Sequence, residues 1–205
     1  MLGLLEAAAE PHEGKLRALA GLSNILRPPR MSVTVAEEGN ARKGGPELAE
    51  VQQSITDIKA FFTRSGWEEG RGCGSAELQR LEKTIDVELP PALSLLLQEV
   101  DGGLWFLDKE SLSSARIAEV VSDCEKSKAW QRAYVPFAGD ESGLLIVDAN
   151  AGSAVFEWED GELGDQLSPT LGSYFETYRN DLLSGQFEWI DGCGVVEKVG
   201  AKARK

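Results

Sequence analysis

The stretch Glu77 to Phe106 reads ELQRLEKTIDVELPPALSLLLQEVDGGLWF, and its two breaks restrict the fold more than any other feature of the chain. Leu78, Leu81 and Ile85 recur three and four apart and share one helical face, with Ser75 the expected cap. Leu89-Pro90-Pro91 interrupts that helix, because a residue before proline is pushed out of helical geometry. A proline in a new first turn lacks only an amide that has no partner there, so a second helix can start at once. Leu93, Leu96, Leu97 and Val100 form its stripe, and Asp101-Gly102-Gly103 is expected to end it through left-handed glycine. Leu104, Trp105 and Phe106 then begin a buried strand.

Downstream, the chain alternates between sheet and helix signals. Val135-Pro136-Phe137-Ala138 leads to Gly143, and Leu145-Ile146-Val147-Asp148 reads as a strand ending in aspartate. A turn at Ala149-Asn150-Ala151-Gly152 joins strands 144–148 and 153–158 into a hairpin. In the second strand Val155 and Glu157 share one side, Phe156 and Trp158 the other. A helix is expected over 113–126, and another after Ser168-Pro169 with Leu171, Tyr174, Phe175, Tyr178 and Leu182 inward. Upstream, Val51, Ile55, Ile58 and Phe62 give a clean helical stripe, followed by Trp67 and a loop over 68–74. The chain closes on a hairpin, Phe187–Ile190 with Val195–Val199.

A helix, Leu-Pro, an amphipathic helix and Gly-Gly, followed by Pro136-Phe137-Ala138…Gly143 and the strand ending at Asp148, resembles the SMI1/KNR4-like (SUKH) superfamily over roughly residues 75–190. Asp101 departs from the pattern, which more often has Asn there. The resemblance implies an α+β fold, a mostly antiparallel sheet with helices packed against it. It also implies a non-enzymatic protein-protein interaction module, a structural or adaptor subunit of a larger assembly. Members of that superfamily include yeast cell-wall and signalling regulators, an accessory subunit of a tubulin-modifying complex and bacterial immunity proteins. A cytoplasmic setting, cytoskeletal or ciliary, and alternatively inhibition of a basic polymorphic toxin, follow from it. Leu89, Pro90, Gly102, Gly103, Pro136, Phe137, Gly143 and Asp148 carry the resemblance and are expected to be structural.

Three parts are expected: an N-terminal arm and linker over 1–46, the SMI1/KNR4-like domain over 47–199, and a basic tail over 200–205. The arm has scattered leucines among Gly14, Gly21 and Pro28-Pro29, too few to bury a core, so it either packs on the domain or docks on something else, with a neighbouring protein the expected site. With Leu at position 2 it offers no N-myristoylation signal, and Met1–Ala9 has no basic secretory n-region.

The search for chemistry excludes more than it finds. His12, in the arm, is the only histidine, which leaves no histidine metal site and no Ser-His or Cys-His dyad in the domain. Cys73, Cys124 and Cys193 are odd in number and far apart, which argues against a disulfide framework and for a reducing compartment. Gly70-Arg71-Gly72-Cys73-Gly74 lacks the lysine of a phosphate loop and reads as a flexible loop. No run of apolar residues is long enough to span a membrane. No cofactor is expected.

A formal charge of −13 argues against nucleic acid and anionic membranes and suits a basic protein partner. From Asp140 to Glu197 there are 13 acids and one base, Arg179. The density is greatest in the hairpin 144–158 and its following loop. Glu157, Glu159, Asp160 and Glu162 are therefore the expected partner-binding residues, with an exposed aromatic nearby as anchor. Carboxylate-dependent hydrolysis is the remaining, weaker alternative.

Overall fold

Val51, Ile55, Ile58 and Phe62, spaced by four, three and four, are all buried on one face of helix α1, Leu48–Arg64. This stripe packs against α3, Pro91–Glu99, and α5, Leu171–Leu183. The computed structural model describes residues 48–198; the expectations for the arm, for Val199 and for the tail lie outside them.

Helix α2, Ser75–Ile85, is capped by Gly74 rather than by Ser75. Glu77 reaches back to accept from the Gly74 amide at 2.6 Å, so a glutamate does the work expected of serine. Pro90 is the N-cap of α3 with Pro91 in its first turn, and its carbonyl accepts from Leu93 and Ser94. Glycine does not end α3. Val100 leaves the helix in extended geometry, and Gly102 and Gly103, at φ +91° and +88°, turn the chain beyond it. That turn joins two elements: Asp101 accepts from the Ser114 amide and hydroxyl at the start of α4, Ser114–Cys124. Gly103 meanwhile accepts the indole N–H of Trp67 at 2.8 Å.

The glycine string 70–74 is a docked segment, which corrects its reading as flexible. The Cys73 amide donates to the Leu97 carbonyl at 2.7 Å and the Asp101 amide to that of Arg71, so the loop covers the end of α3. A Cβ on Gly72 would lie 1.8 Å from the Gln98 carbonyl oxygen.

Six strands form an antiparallel sheet in chain order: β1 Trp105–Phe106, β2 Lys109–Ser111, β3 Tyr134–Gly139, β4 Leu144–Asp148, β5 Ala154–Glu159 and β6 Glu162–Ser168. Two of these, β2 and β6, were not expected from the sequence. Pro136 sits at a bulge in β3, a position where a strand tolerates the missing amide. Gly143 lets the β3–β4 turn press onto β5, since a Cβ there would meet the Trp158 carbonyl oxygen at 2.8 Å. Asp148 accepts from the Asn150 and Ala151 amides and shapes the β4–β5 turn. Helix α5 is capped by Thr170, which accepts from the Ser173 amide; Ser168, expected as that cap, is the last residue of β6. The α+β class and the antiparallel sheet agree with the expectation.

The helices lie on one face of the sheet. Phe106, Phe137, Leu145, Val147 and Val155 meet Leu171, Tyr174, Phe175 and Tyr178 in the main core, where Phe106 stacks on Phe175 at 5.7 Å. A separate hairpin, β7 Phe187–Ile190 with β8 Gly194–Glu197, closes over β1. Trp189 meets Phe62 of α1 edge-on at 6.2 Å, and Val195 donates to the Leu107 carbonyl at 2.8 Å.

Candidate protein-binding surface

The four expected acids fall at and near one hairpin tip. Glu159 ends β5 and Glu162 begins β6 directly opposite it, with Asp160-Gly161 as a two-residue turn. Both turn residues have positive φ, 54° and 80°, the geometry that suits the right-handed twist of a hairpin. Glu159, Asp160 and Glu162 are exposed. Glu157 is different. It is half-buried on the helix side; burial pushes the Tyr174 phenol up, and the nearby Asp108 and Glu157 carboxylates add to the rise.

Like charges facing each other across a strand pair destabilise it, by about 0.2–1 kcal/mol. Glu159 opposite Glu162, with Asp160 between them, is such an arrangement. The fold also brings one loop to the tip that the chain-order tally omits: Ser127 donates to the Gly161 carbonyl at 3.0 Å, and its neighbours are Lys126 and Lys128. Lys126 is held by Asp123 at 2.7 Å. Of the whole chain's charges, 28 of 34 acids and 12 of 21 bases lie in 48–198, a formal −16.

The same loop brings aromatics. Trp130 meets Trp158 edge-on at 4.9 Å and Tyr134 at 5.6 Å. These rings, with buried Ile146 and half-buried Leu144 and Phe156, form a second apolar cluster on the sheet face away from the helices. The indole N–H of Trp130 is buried without an acceptor.

Elsewhere the charged groups are tied into structure. Lys109, buried at the end of the β1–β2 turn, donates to Asp140 at 3.2 Å and to Ser142 at 3.1 Å. Burial alone would raise the Asp140 carboxyl, but the Ser142 hydroxyl, Lys109 and the Ser142 amide together hold it below its ordinary value. Burial pushes the Cys73 thiol up to about 11, with Asp101 adding to the rise, so it is not a nucleophile at neutral pH. Among the described residues, no three of His, Cys, Asp and Glu converge as metal ligands. No helix among them is long and apolar enough to cross a membrane.

The profile of the SMI1/KNR4 family (SUKH-1) matches residues 72–177. The chain belongs to the SMI1/KNR4 family. The match begins in the glycine loop that covers α3 and ends within α5, one residue before Tyr178. Helix α1 and the β7–β8 hairpin therefore flank the SMI1/KNR4 segment, and both pack onto it. No curated protein matches the chain.

The tip was half legible. Asp160-Gly161 is a strong two-residue hairpin signal, but β6 reads ELGDQLS, too polar to suggest a strand beside it.

Proposed function

We propose that this SMI1/KNR4-family chain is a protein-recognition module that captures a basic protein partner through the β5–β6 tip, acting as an adaptor in a larger assembly. The observation that carries the reading is the cross-strand pair Glu159 and Glu162 around Asp160. The pair works against the hairpin that presents it, and a local choice that opposes the fold is expected where function requires it. A tip of this charge on a domain of formal −16 steers a basic surface and speeds its association more than it adds affinity. Glu157, behind the tip, contributes to the same field. A cytoskeletal or ciliary setting for such an adaptor is part of this reading, because the superfamily includes an accessory subunit of a tubulin-modifying complex.

The same charge favours a second reading, an immunity protein that neutralises a basic toxin. The family includes such proteins, and the two readings share one surface. A toxin gene beside the coding sequence, with rescue of growth by this chain, decides for immunity.

The test uses purified full chain to capture a partner from its source cells, followed by kinetics with the purified partner. Changing Glu157, Glu159, Asp160 and Glu162 to amides should slow association and flatten its salt dependence while leaving the melting temperature unchanged or higher. Unaltered association at low and moderate salt refutes the tip as the docking site.

A further inference from the structure

The sheet face turned away from the helices has a defined layout. Strand register places Leu163, Trp158 and Leu144 side by side in one row across β6, β5 and β4, and Gln166, Phe156 and Ile146 in the next. Trp130 lies over Trp158 from the loop. The cluster is incompletely covered: Leu163 is 41 % exposed, and Leu144, Phe156 and Trp130 are half-buried. The loop that carries Trp130 covers part of it.

Four observations select what fits there. The first row continues, across the small Gly139, to exposed Glu110 on β2, and at its other end borders the exposed turn residue Asp160, while Glu159 and Glu162 alternate with Trp158 and Leu163 and belong to the opposite face. The bases near it are few: Lys126 and Arg132 are paired with Asp123 and Asp86, which leaves Lys128 on the loop. A second copy of this domain would bring a formal −16 against −16 and set one acidic tip against another, which disfavours self-association. The β6 edge is an equally poor template for an added strand, because two register shifts interrupt it and Glu162 and Asp165 lie along it.

We propose that this face is a docking surface for a basic polypeptide segment that presents apolar side chains between its lysines or arginines. The apolar groups seat on Leu163, Phe156 and Trp130, and the flanking bases meet Glu110 and the turn residue Asp160. The inference rests on the proposed recognition of a basic partner and adds where and by what chemistry the partner is anchored.

Three synthetic peptides of equal length test it against the full chain by tryptophan fluorescence and calorimetry: one alternating Lys with Leu, one Lys with Ser, one Glu with Leu. The Lys/Leu peptide should bind at least tenfold more tightly than Lys/Ser and perturb tryptophan emission, while Glu/Leu should not bind. Leu163→Ser should weaken Lys/Leu binding severalfold with an unchanged melting curve, since Leu163 is substantially exposed. Equal binding of Lys/Leu and Lys/Ser, lost in the tip amides, overturns the apolar anchor and leaves the acidic tip standing. Equal binding of Lys/Leu and Glu/Leu overturns the requirement for a basic partner as well. Binding by none of the three, or a stable dimer of the free chain in sedimentation, overturns the proposal.

Discussion

Gly72 offers the sharpest test of how the central helices are held. A Cβ there would stand 1.8 Å from the backbone oxygen of Gln98 and 2.5 Å from its carbon, so the glycine loop and the end of α3 must part for Gly72→Ala to fit. The obstacle is backbone, not a side chain that can swing away. Forced overpacking costs about 1–3 kcal/mol. Separation also stretches the Cys73 bond to Leu97, now 2.7 Å, and the Asp101 bond to Arg71, now 3.2 Å. One net hydrogen bond adds about 0.5–1.5 kcal/mol. The sum is roughly 2–4 kcal/mol, which at about 2–4 °C per kcal/mol for a chain of this size lowers Tm by roughly 5–15 °C. Gly70→Ala is the control, two residues away in the same loop, where the nearest atoms to a new Cβ lie at 3.9 and 4.0 Å. It should change stability by no more than about 0.5 kcal/mol, or stabilise slightly by restricting the unfolded chain. Thermal melts followed by circular dichroism compare the two. Coincident curves refute the docked loop and restore the flexible one.

Asp140 should give the domain part of its acid sensitivity. Its carboxyl is held below the ordinary value, so its contribution is intact above the unfolded pKa of about 4 and is lost as pH falls through the folded one. Asp140→Asn should melt lower at pH 7 but lose less than the parent between pH 7 and pH 3; parallel losses refute the linkage. Thiol labelling at pH 8 should reach exposed Cys193 first and buried Cys73 only on unfolding, because burial raises the Cys73 thiol to about 11. We further propose that the chain without residues 1–46 folds by itself, because α1 and the sheet already close a core; it should melt in one cooperative transition, and a gradual melt refutes this.

The sequence showed most where burial and period coincide. Val51 to Phe62, Leu93 to Val100 and Leu171 to Leu182 are stripes whose every apolar member is inside. Strand β6 escaped because an edge strand needs only one buried neighbour, and ELGDQLS, interrupted twice by bulges, shows no period of two. Caps shifted for a local reason: Ser75 and Ser168 are good cap residues, but Glu77 and Thr170 offered better-placed oxygens within two residues. The acid tally was correct along the chain and incomplete in space, since loop closure through Ser127 sets Lys126 and Lys128 beside the tip. The apolar face next to it was legible only as alternation in β5; what left it half-covered was a loop whose path no periodicity describes.

The β7–β8 hairpin has a consequence for synthesis. Gly194 stands so close to the Leu107 carbonyl oxygen that a Cβ would lie 2.3 Å away, Val195 donates to that oxygen, and Trp189 meets Phe62 of the first described helix. The segment matched by the family is thus sealed by parts from both ends of the described chain. A nascent chain that has emerged through the sheet but not yet through residues 187–197 lacks the contacts of Trp189 with Phe62 and of Gly194 with Trp105. Until the hairpin emerges, the domain depends on whatever shields nascent apolar surface.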